Sequence, residues 1–153
     1  DSGGVSVLNG IFHINVTVRD LDRSIKFYED LGFEAVNVLT QEGTDIAADL
    51  GMRVNKMRVA FMRLRDDPDY PVVDLLQFID PPSQGEAYAA LNNVGVGRIA
   101  FTVNDIDKAY EELNAKNVEF LSAIVRKDLG DSKIGVVCFK DPDGTVLELI
   151  QWY

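Results

Sequence analysis

"HINVTVRDLDRSIKFY", residues 13–28, returns later in the chain as "RIAFTVNDIDKAYEEL", residues 98–113. The two segments lie 85 residues apart (98 minus 13), and five positions keep the same residue type, the pair Asp20 and Asp105 among them. A second match joins "VDLLQF" (73–78) to "LELIQW" (147–152), 74 residues apart (147 minus 73). A chain that repeats itself in this way predicts two copies of one structural module.

Each copy predicts the element order β-α-β-β-β. Alternating apolar residues predict opening strands at 12–18 and 98–103. Helices are expected at 21–32, with Asp20 as N-cap, and at 106–117, after Asn104 or Asp105. In the first helix, an apolar stripe is expected to face the core: Ile25, Phe27 and Leu31. The other strands are predicted at 33–39, 57–65, 72–79, 118–125, 134–140 and 145–152, with "DPDG" (141–144) as a turn.

The expected fold class is therefore α+β, with two tandem βαβββ modules pairing around a shared concave cavity. The expected boundaries are a tail at 1–9, a first module at 10–80, a linker at 81–95 and a second module at 96–153, in one compact domain. The two repeat spacings differ by 11 residues (85 minus 74), so the first copy carries about 11 extra residues. The irregular stretch "TQEGTDIAADLGMRVN", residues 40–55, is where we expect this insertion.

Composition excludes several classes of function. The chain has 153 residues, 46% of them hydrophobic and 26% charged, which predicts a globular core without disulfides. No apolar run or N-terminal leader pattern predicts a membrane segment or export, so a cytoplasmic protein is expected. Cys138, the single cysteine, is expected to be a buried strand residue. The formal net charge of −10 disfavours nucleic acid as a partner, and no membrane partner is predicted.

Strand alternation assigns side chains to faces. In the opening strands, His13, Asn15 and Thr17 share one face, and Arg98, Ala100 and Thr102 share the equivalent face of the second copy. In the closing strands, the corresponding sets are Asp74, Leu76 and Phe78, and Glu148, Ile150 and Trp152. Because a carboxylate inside an apolar strand is costly unless it meets a partner, its repetition at Asp74 and Glu148 predicts a polar site. That site comprises His13, Asp74, Arg98 and Glu148.

The segments "FHINVTVRDLDRSIKFYEDLGFE" (12–34) and "FKDPDGTVLELIQ" (139–151) resemble the vicinal oxygen chelate superfamily. This superfamily includes glyoxalase I, methylmalonyl-CoA epimerase, extradiol dioxygenases and fosfomycin- and bleomycin-resistance proteins. The resemblance implies a metal held by one residue from the first strand and one from the last strand of each module. Position by position, these residues are His13, Asp74, Arg98 and Glu148. It also implies a homodimer and a small-molecule ligand.

Arg98 departs from the family pattern, since a guanidinium stays charged and has no lone pair to donate to a metal. Three interpretations follow. His13, Asp74 and Glu148 bind a divalent metal (Zn, Ni, Mn or Fe) while Arg98 holds an anionic group of the substrate. Alternatively, Arg98 replaces the metal and pairs with Glu148 or Asp74. In the third, the site is defunct. The second interpretation is the favoured one, with no cofactor.

The predicted function is therefore binding of a small oxygenated or anionic molecule, with isomerase- or lyase-type proton transfer of the glyoxalase kind. Glu148, Arg98 and Asp74 are the predicted catalytic residues. The predicted substrate-binding residues are His13, Asn15, Leu76, Phe78, Thr102, Ile150 and Trp152. The alternatives are a metal-dependent lyase or epimerase and a non-catalytic, drug-binding protein. Extradiol dioxygenase chemistry is disfavoured, because its iron site needs two histidines and His13 is the only one.

Loop cations are further candidates for binding an anionic group. They lie in the irregular stretches of the two copies: Arg53, Arg126, Lys127 and Lys133.

Overall fold

The chain folds into two compact units, Asp1–Gln84 and Gly85–Tyr153. A computed structural model describes residue 4 and residues 6–153. Each unit holds one helix and one mixed sheet, so the α+β prediction is confirmed.

Unit 1 follows the predicted element order. Its elements are β1 (His13–Thr17), α1 (Leu21–Asp30), β2 (Glu34–Glu42), β3 (Lys56–Arg63) and β4 (Val72–Asp80), with a short 3₁₀ turn at Ala48–Leu50. The sheet order is β1-β4-β3-β2, in which β1 runs parallel to β4 and the other pairs are antiparallel. The helix connects β1 to β2, which lie at opposite edges of the sheet, and β3 and β4 fill the space between them.

Unit 2 repeats this topology with one interruption. Its elements are β5 (Ile99–Thr102), α2 (Ile106–Ala115), β6 (Glu119–Phe120), β7 (Val125–Asp128), β8 (Lys133–Lys140) and β9 (Val146–Trp152). The single strand predicted at 118–125 is therefore two short strands, both paired with β8. A bulge causes the break. Four residues separate Phe120 from Val125, whereas only two separate their partners on β8, Phe139 and Val136. Unit 1 has a one-residue bulge at the equivalent point, after Ala35.

Both helices begin in the same way. The Asp20 side chain accepts a hydrogen bond from the Arg23 backbone N–H, and Asp105 does the same for Lys108. A glutamine of the closing strand satisfies a second helix N–H in each unit. Gln77 Oε1 accepts from Leu21 at 2.9 Å, and Gln151 Oε1 accepts from Ile106 at 2.9 Å. The repeated glutamine thus joins the closing strand to the helix start.

The core face of α1 differs from the predicted stripe. The helix buries Leu21, Ser24 and Tyr28 completely, whereas Ile25, Phe27 and Leu31 are only half-buried. The prediction was wrong because positions 25 and 27 point about 200° apart on a helix, while 21, 24 and 28 follow the 3.6-residue repeat.

The 40–55 insertion extends β2 and then folds back onto the sheet. Ala47 and Val54 are fully buried in a hydrophobic cluster with Met57, Val59 and Leu76. Ile46 and Phe78 pack at the edge of this cluster. The insertion therefore covers the part of the unit 1 sheet where β4 ends.

Within the part of the chain that the structure describes, no helix has the length and hydropathy needed to cross a membrane.

Candidate functional site

Each unit has one sheet face covered by its helix and one that the helix does not touch, here called the helix-free face. In unit 1, Asn15 lies opposite Asp74 and Thr17 lies opposite Leu76. In unit 2, Ala100 lies opposite Glu148 and Thr102 opposite Ile150. Residues opposite each other in parallel strands share a face, so Asp74 and Glu148 stand on the helix-free faces of their units.

The polar pair of unit 1 is His13 with Asp74. Asp74 is 8% exposed, and its Oδ2 lies 3.7 Å from His13 Nε2, beyond hydrogen-bonding distance. Asn15 Nδ2 donates to the Asp74 backbone carbonyl at 3.1 Å and approaches Oδ2 at 3.5 Å. The His13 ring also lies beside two aromatic rings, those of Phe12 and Phe61. Thus only one oxygen of the Asp74 carboxylate has polar neighbours.

The second carboxylate oxygen, Asp74 Oδ1, is buried and accepts no hydrogen bond from any described residue. Burial raises the pKa of Asp74 above its ordinary value, although His13 and the Asn15 hydrogen bond oppose the shift. A buried acceptor without a donor is costly and is uncommon outside functional sites. Unit 1 therefore presents a carboxyl group that is poised to hold a proton or to meet a cation.

The polar pair of unit 2 is Arg98 with Glu148, and it is fully formed. Glu148 is 9% exposed, and its Oε1 accepts a hydrogen bond from Arg98 Nε at 2.9 Å. The hydrogen bond to Glu148 and the charge of Glu148 both raise the pKa of Arg98, so the guanidinium stays charged. The structure therefore brings two of the predicted residues, Arg98 and Glu148, into direct contact.

Cys138 is a neighbour of this pair that sequence reasoning did not assign to the site. It lies opposite Glu148 on the adjacent strand and is only partly buried. Burial raises the pKa of its thiol and Glu148 acts in the same direction, whereas Arg98 and Lys127 lower it. A four-residue turn at 141–144 would pair residue 138 with 147. The hairpin instead pairs Lys140 with Val146, so only the structure shows that Cys138 lies opposite Glu148.

The predicted binding residues have different surroundings. Leu76 and Phe78 belong to the cluster beneath the insertion, so their side chains meet Ala47 and Val54 rather than an open surface. Thr102 and Trp152 are exposed, and Ile150 is half-buried. Because the insertion occurs only in the first copy, the two closing strands differ in what covers them.

The loop cations of unit 2 line a shallow cleft. Its volume is about 390 Å³, and its lining comprises Arg126, Lys127, Asp128, Lys133, Ile134 and Tyr153. The Arg126 guanidinium is engaged there by Asp107 and by the Tyr153 hydroxyl. Arg53, in contrast, lies exposed in the insertion of unit 1. Three of the four predicted loop cations therefore come together.

The two pairs fit a metal ion unequally. In unit 1, His13 Nε2 and Asp74 supply two ligand atoms, and Asp74 Oδ1 has lone pairs to give. In unit 2, Arg98 has no lone pair and already donates to Glu148 Oε1. Within either unit, no three His, Cys, Asp or Glu residues of the described chain form a metal-binding group. The residues of unit 2 therefore do not fit the metal pattern of the family.

The repeated topology and the equivalent polar pairs define a class of protein. A family model, the Glyoxalase/Bleomycin resistance protein/Dioxygenase superfamily, matches residues 10–149. The chain belongs to this superfamily.

Among curated proteins, the chain is 29% identical to an uncharacterised protein of Bacillus subtilis, YwkD, over 95% of this chain and 98% of that one. It is 31% identical to a lactoylglutathione lyase of Haemophilus influenzae, with 92% and 91% covered. Among solved structures, a glyoxalase family protein of Bacillus cereus superimposes with a TM-score of 0.83 at 22% identity, covering 99% of this chain and 98% of that one. The trypanothione-dependent glyoxalase I of Leishmania major gives a TM-score of 0.64 at 25% identity, with 94% and 87% covered.

Proposed function

We propose that this protein binds a small oxygenated or anionic molecule without a metal and catalyses an isomerase- or lyase-type proton transfer on it. The observation that carries the proposal is the hydrogen bond of 2.9 Å from Arg98 Nε to Glu148 Oε1. It ties a permanent cation to the carboxylate of unit 2, where the family pattern has two metal ligands. The similarity to lactoylglutathione lyases supports chemistry beside a thioester or carbonyl group.

The pair combines the two groups that such a step requires. Glu148 Oε1 is taken by Arg98, whereas Oε2 accepts no hydrogen bond from any described residue. Oε2 removes a proton from the carbon next to a carbonyl, and the C–H electron pair becomes the double bond of an enolate. Arg98 meets the negative charge on the enolate oxygen. Where that carbon carries a hydroxyl group, the hydroxyl proton passes to the former carbonyl oxygen, and return of the abstracted proton to the former carbonyl carbon completes an isomerisation.

Asp74 supplies a second carboxyl group on unit 1. Its raised pKa increases the fraction that holds a proton near neutrality, which suits a general acid. Asn15 donates a hydrogen bond of 3.5 Å to the other carboxylate oxygen, and His13 lies 3.7 Å from it.

A metal-dependent lyase or epimerase is the second candidate. The buried Asp74 Oδ1, which no described residue satisfies, favours it, because a cation would supply the missing partner. In that case His13 and Asp74 would hold the metal on unit 1. The metal would polarise a substrate oxygen.

The test is hydrogen exchange on protein stripped of metal with a chelator and verified by mass spectrometry. Lactoylglutathione and pyruvate are incubated with the protein in D₂O, and ¹H NMR follows loss of the hydrogens next to each carbonyl. We expect exchange above the buffer rate, reduced about a hundredfold or more in Glu148→Gln.

The matched control is Glu119→Gln, which removes another glutamate of unit 2 that is paired with a cation, Lys140, at the surface. It should exchange like the wild type. Exchange that appears only when Zn²⁺ or Ni²⁺ is added establishes the metal-dependent candidate instead. Binding of either compound without any exchange makes the protein a non-catalytic binder and overturns the proposed reaction.

A further inference from the structure

Arg98 differs from the other arginines whose carboxylate partners are resolved. Arg58 uses both η nitrogens on Asp22. The η nitrogens of Arg63 donate to Asp66 and Glu34, and those of Arg126 donate to Tyr153 and Asp107. Arg98 alone in this group donates through Nε.

The consequence is an open guanidinium fork. Neither η nitrogen of Arg98 donates to any acceptor in the described part of the chain. The Arg98 side chain is 46% exposed, whereas the side chain of its partner Glu148 is 12% exposed. The buried carboxylate thus holds the guanidinium by its edge, and the Nη1–Nη2 end stays accessible on the helix-free face.

We infer that Arg98, held by Glu148, anchors a planar anion with two oxygens, a carboxylate, on the molecule that this protein binds. Two parallel N–H donors match two such oxygens side by side, and bidentate pairing fixes orientation as well as supplying charge. This inference rests on the proposed function and specifies the class of substrate.

The surroundings of the pair combine apolar side chains with a second cation. Ile150 and Val136 lie opposite each other, two residues beyond the opposed residues Glu148 and Cys138, so apolar side chains follow the carboxylate along the sheet. Lys127 acts on Cys138 from the other end of this face and adds positive charge. Because the chain as a whole carries a net charge of −10, a carboxylate is attracted only locally.

The test uses oxalate as the planar probe, inorganic phosphate as the tetrahedral probe and acetamide as the neutral one. Each is titrated into ¹⁵N-arginine-labelled protein, and NMR follows the Nε and Nη signals of Arg98. We expect oxalate to shift the Nη signals and to bind about tenfold or more weakly to Arg98→Lys, since a lysine cannot pair through a fork. Acetamide should leave the signals unchanged.

Arg58→Lys is the matched control, because its fork is already occupied, and it should bind oxalate like the wild type. The wild-type titration needs no variant, so it decides the matter even where Arg98→Lys does not fold. Unmoved Arg98 signals, or equal affinity in Arg98→Lys, overturn the inference, as does tighter binding of phosphate than of oxalate.

Failure of the proposed reaction has a different signature. Oxalate binding at Arg98 with no hydrogen exchange in D₂O leaves the anchor intact and removes the catalysis. Hydrogen exchange that depends on Glu148 but not on Arg98 would overturn the inference about Arg98 and support the proposed reaction.

Discussion

The helix-free faces of the two units carry the same carboxylate position in opposite states. Asp74 and Glu148 are almost equally buried. Asp74 lies opposite Asn15, two residues after His13, and Glu148 lies opposite Ala100, two residues after Arg98. Glu148 has a charged partner at 2.9 Å, whereas Asp74 has His13 at 3.7 Å and one oxygen without a donor. Two exchanges of residue type within a repeated frame, His13 against Arg98 and Asp74 against Glu148, therefore separate a satisfied pair from an unsatisfied one.

The largest expected effect comes from making unit 2 resemble unit 1. Arg98→His replaces a side chain without lone pairs by a metal ligand and releases Glu148. We expect the affinity for Zn²⁺, measured by calorimetry, to rise about tenfold or more. Arg58→His is the control, since it adds a histidine away from the polar pair. A wild-type protein that is purified with stoichiometric metal contradicts this prediction.

Neutralising the two carboxylates should change stability in opposite directions. Glu148→Gln breaks a formed ion pair and should lower the free energy of unfolding by about 1 kcal/mol. Asp74→Asn removes a buried charge that lacks a donor and should raise it by about 1 kcal/mol. Urea unfolding at neutral pH measures both variants. Equal losses in the two variants would mean that Asp74 has a partner comparable to Arg98.

The pH dependence sharpens the same contrast. Because burial raises the pKa of Asp74, the folded protein binds a proton that the unfolded chain has already lost. Stability contributed by this group is therefore present below the unfolded pKa and is lost as pH rises through the folded one. Urea unfolding at a series of pH values measures this effect. We expect the free energy of unfolding of Asp74→Asn to exceed that of the wild type increasingly as pH rises from the unfolded to the folded pKa of Asp74. A gap that stays constant with pH rules out titration of Asp74 as its cause.

The smallest effect concerns the helices. Ser24 is fully buried in α1, and its hydroxyl has no partner in the described chain, whereas position 109 of the second copy is alanine. Ser24→Ala should raise the free energy of unfolding by about 0.5–1 kcal/mol, since alanine has no buried hydroxyl and has the higher helix propensity. Thermal unfolding measures it. A loss of stability would reveal a hydrogen bond to the Ser24 hydroxyl.

Much of the fold could be predicted from short-range patterns. Alternation identified the strands and their faces, Asp20 and Asp105 identified the helix starts, and the repeat identified the equivalent positions His13, Asp74, Arg98 and Glu148. The core stripe of α1 was missed, because Ile25 and Phe27 do not share a helix face. The broken strand of unit 2 was also missed, since a bulge leaves no strong sequence signal.

The amino-acid sequence by itself determined the duplicated β-α-β-β-β frame and which four polar residues occupy its equivalent points, because periodicity and capping act over a few residues. Only the tertiary structure decided which of those residues touch. Nothing local specifies that Arg98 bonds to Glu148 through Nε, or that Ala47 and Val54 fold back over Leu76. These contacts join residues far apart in the chain, and their geometry follows from how the strands are paired and packed.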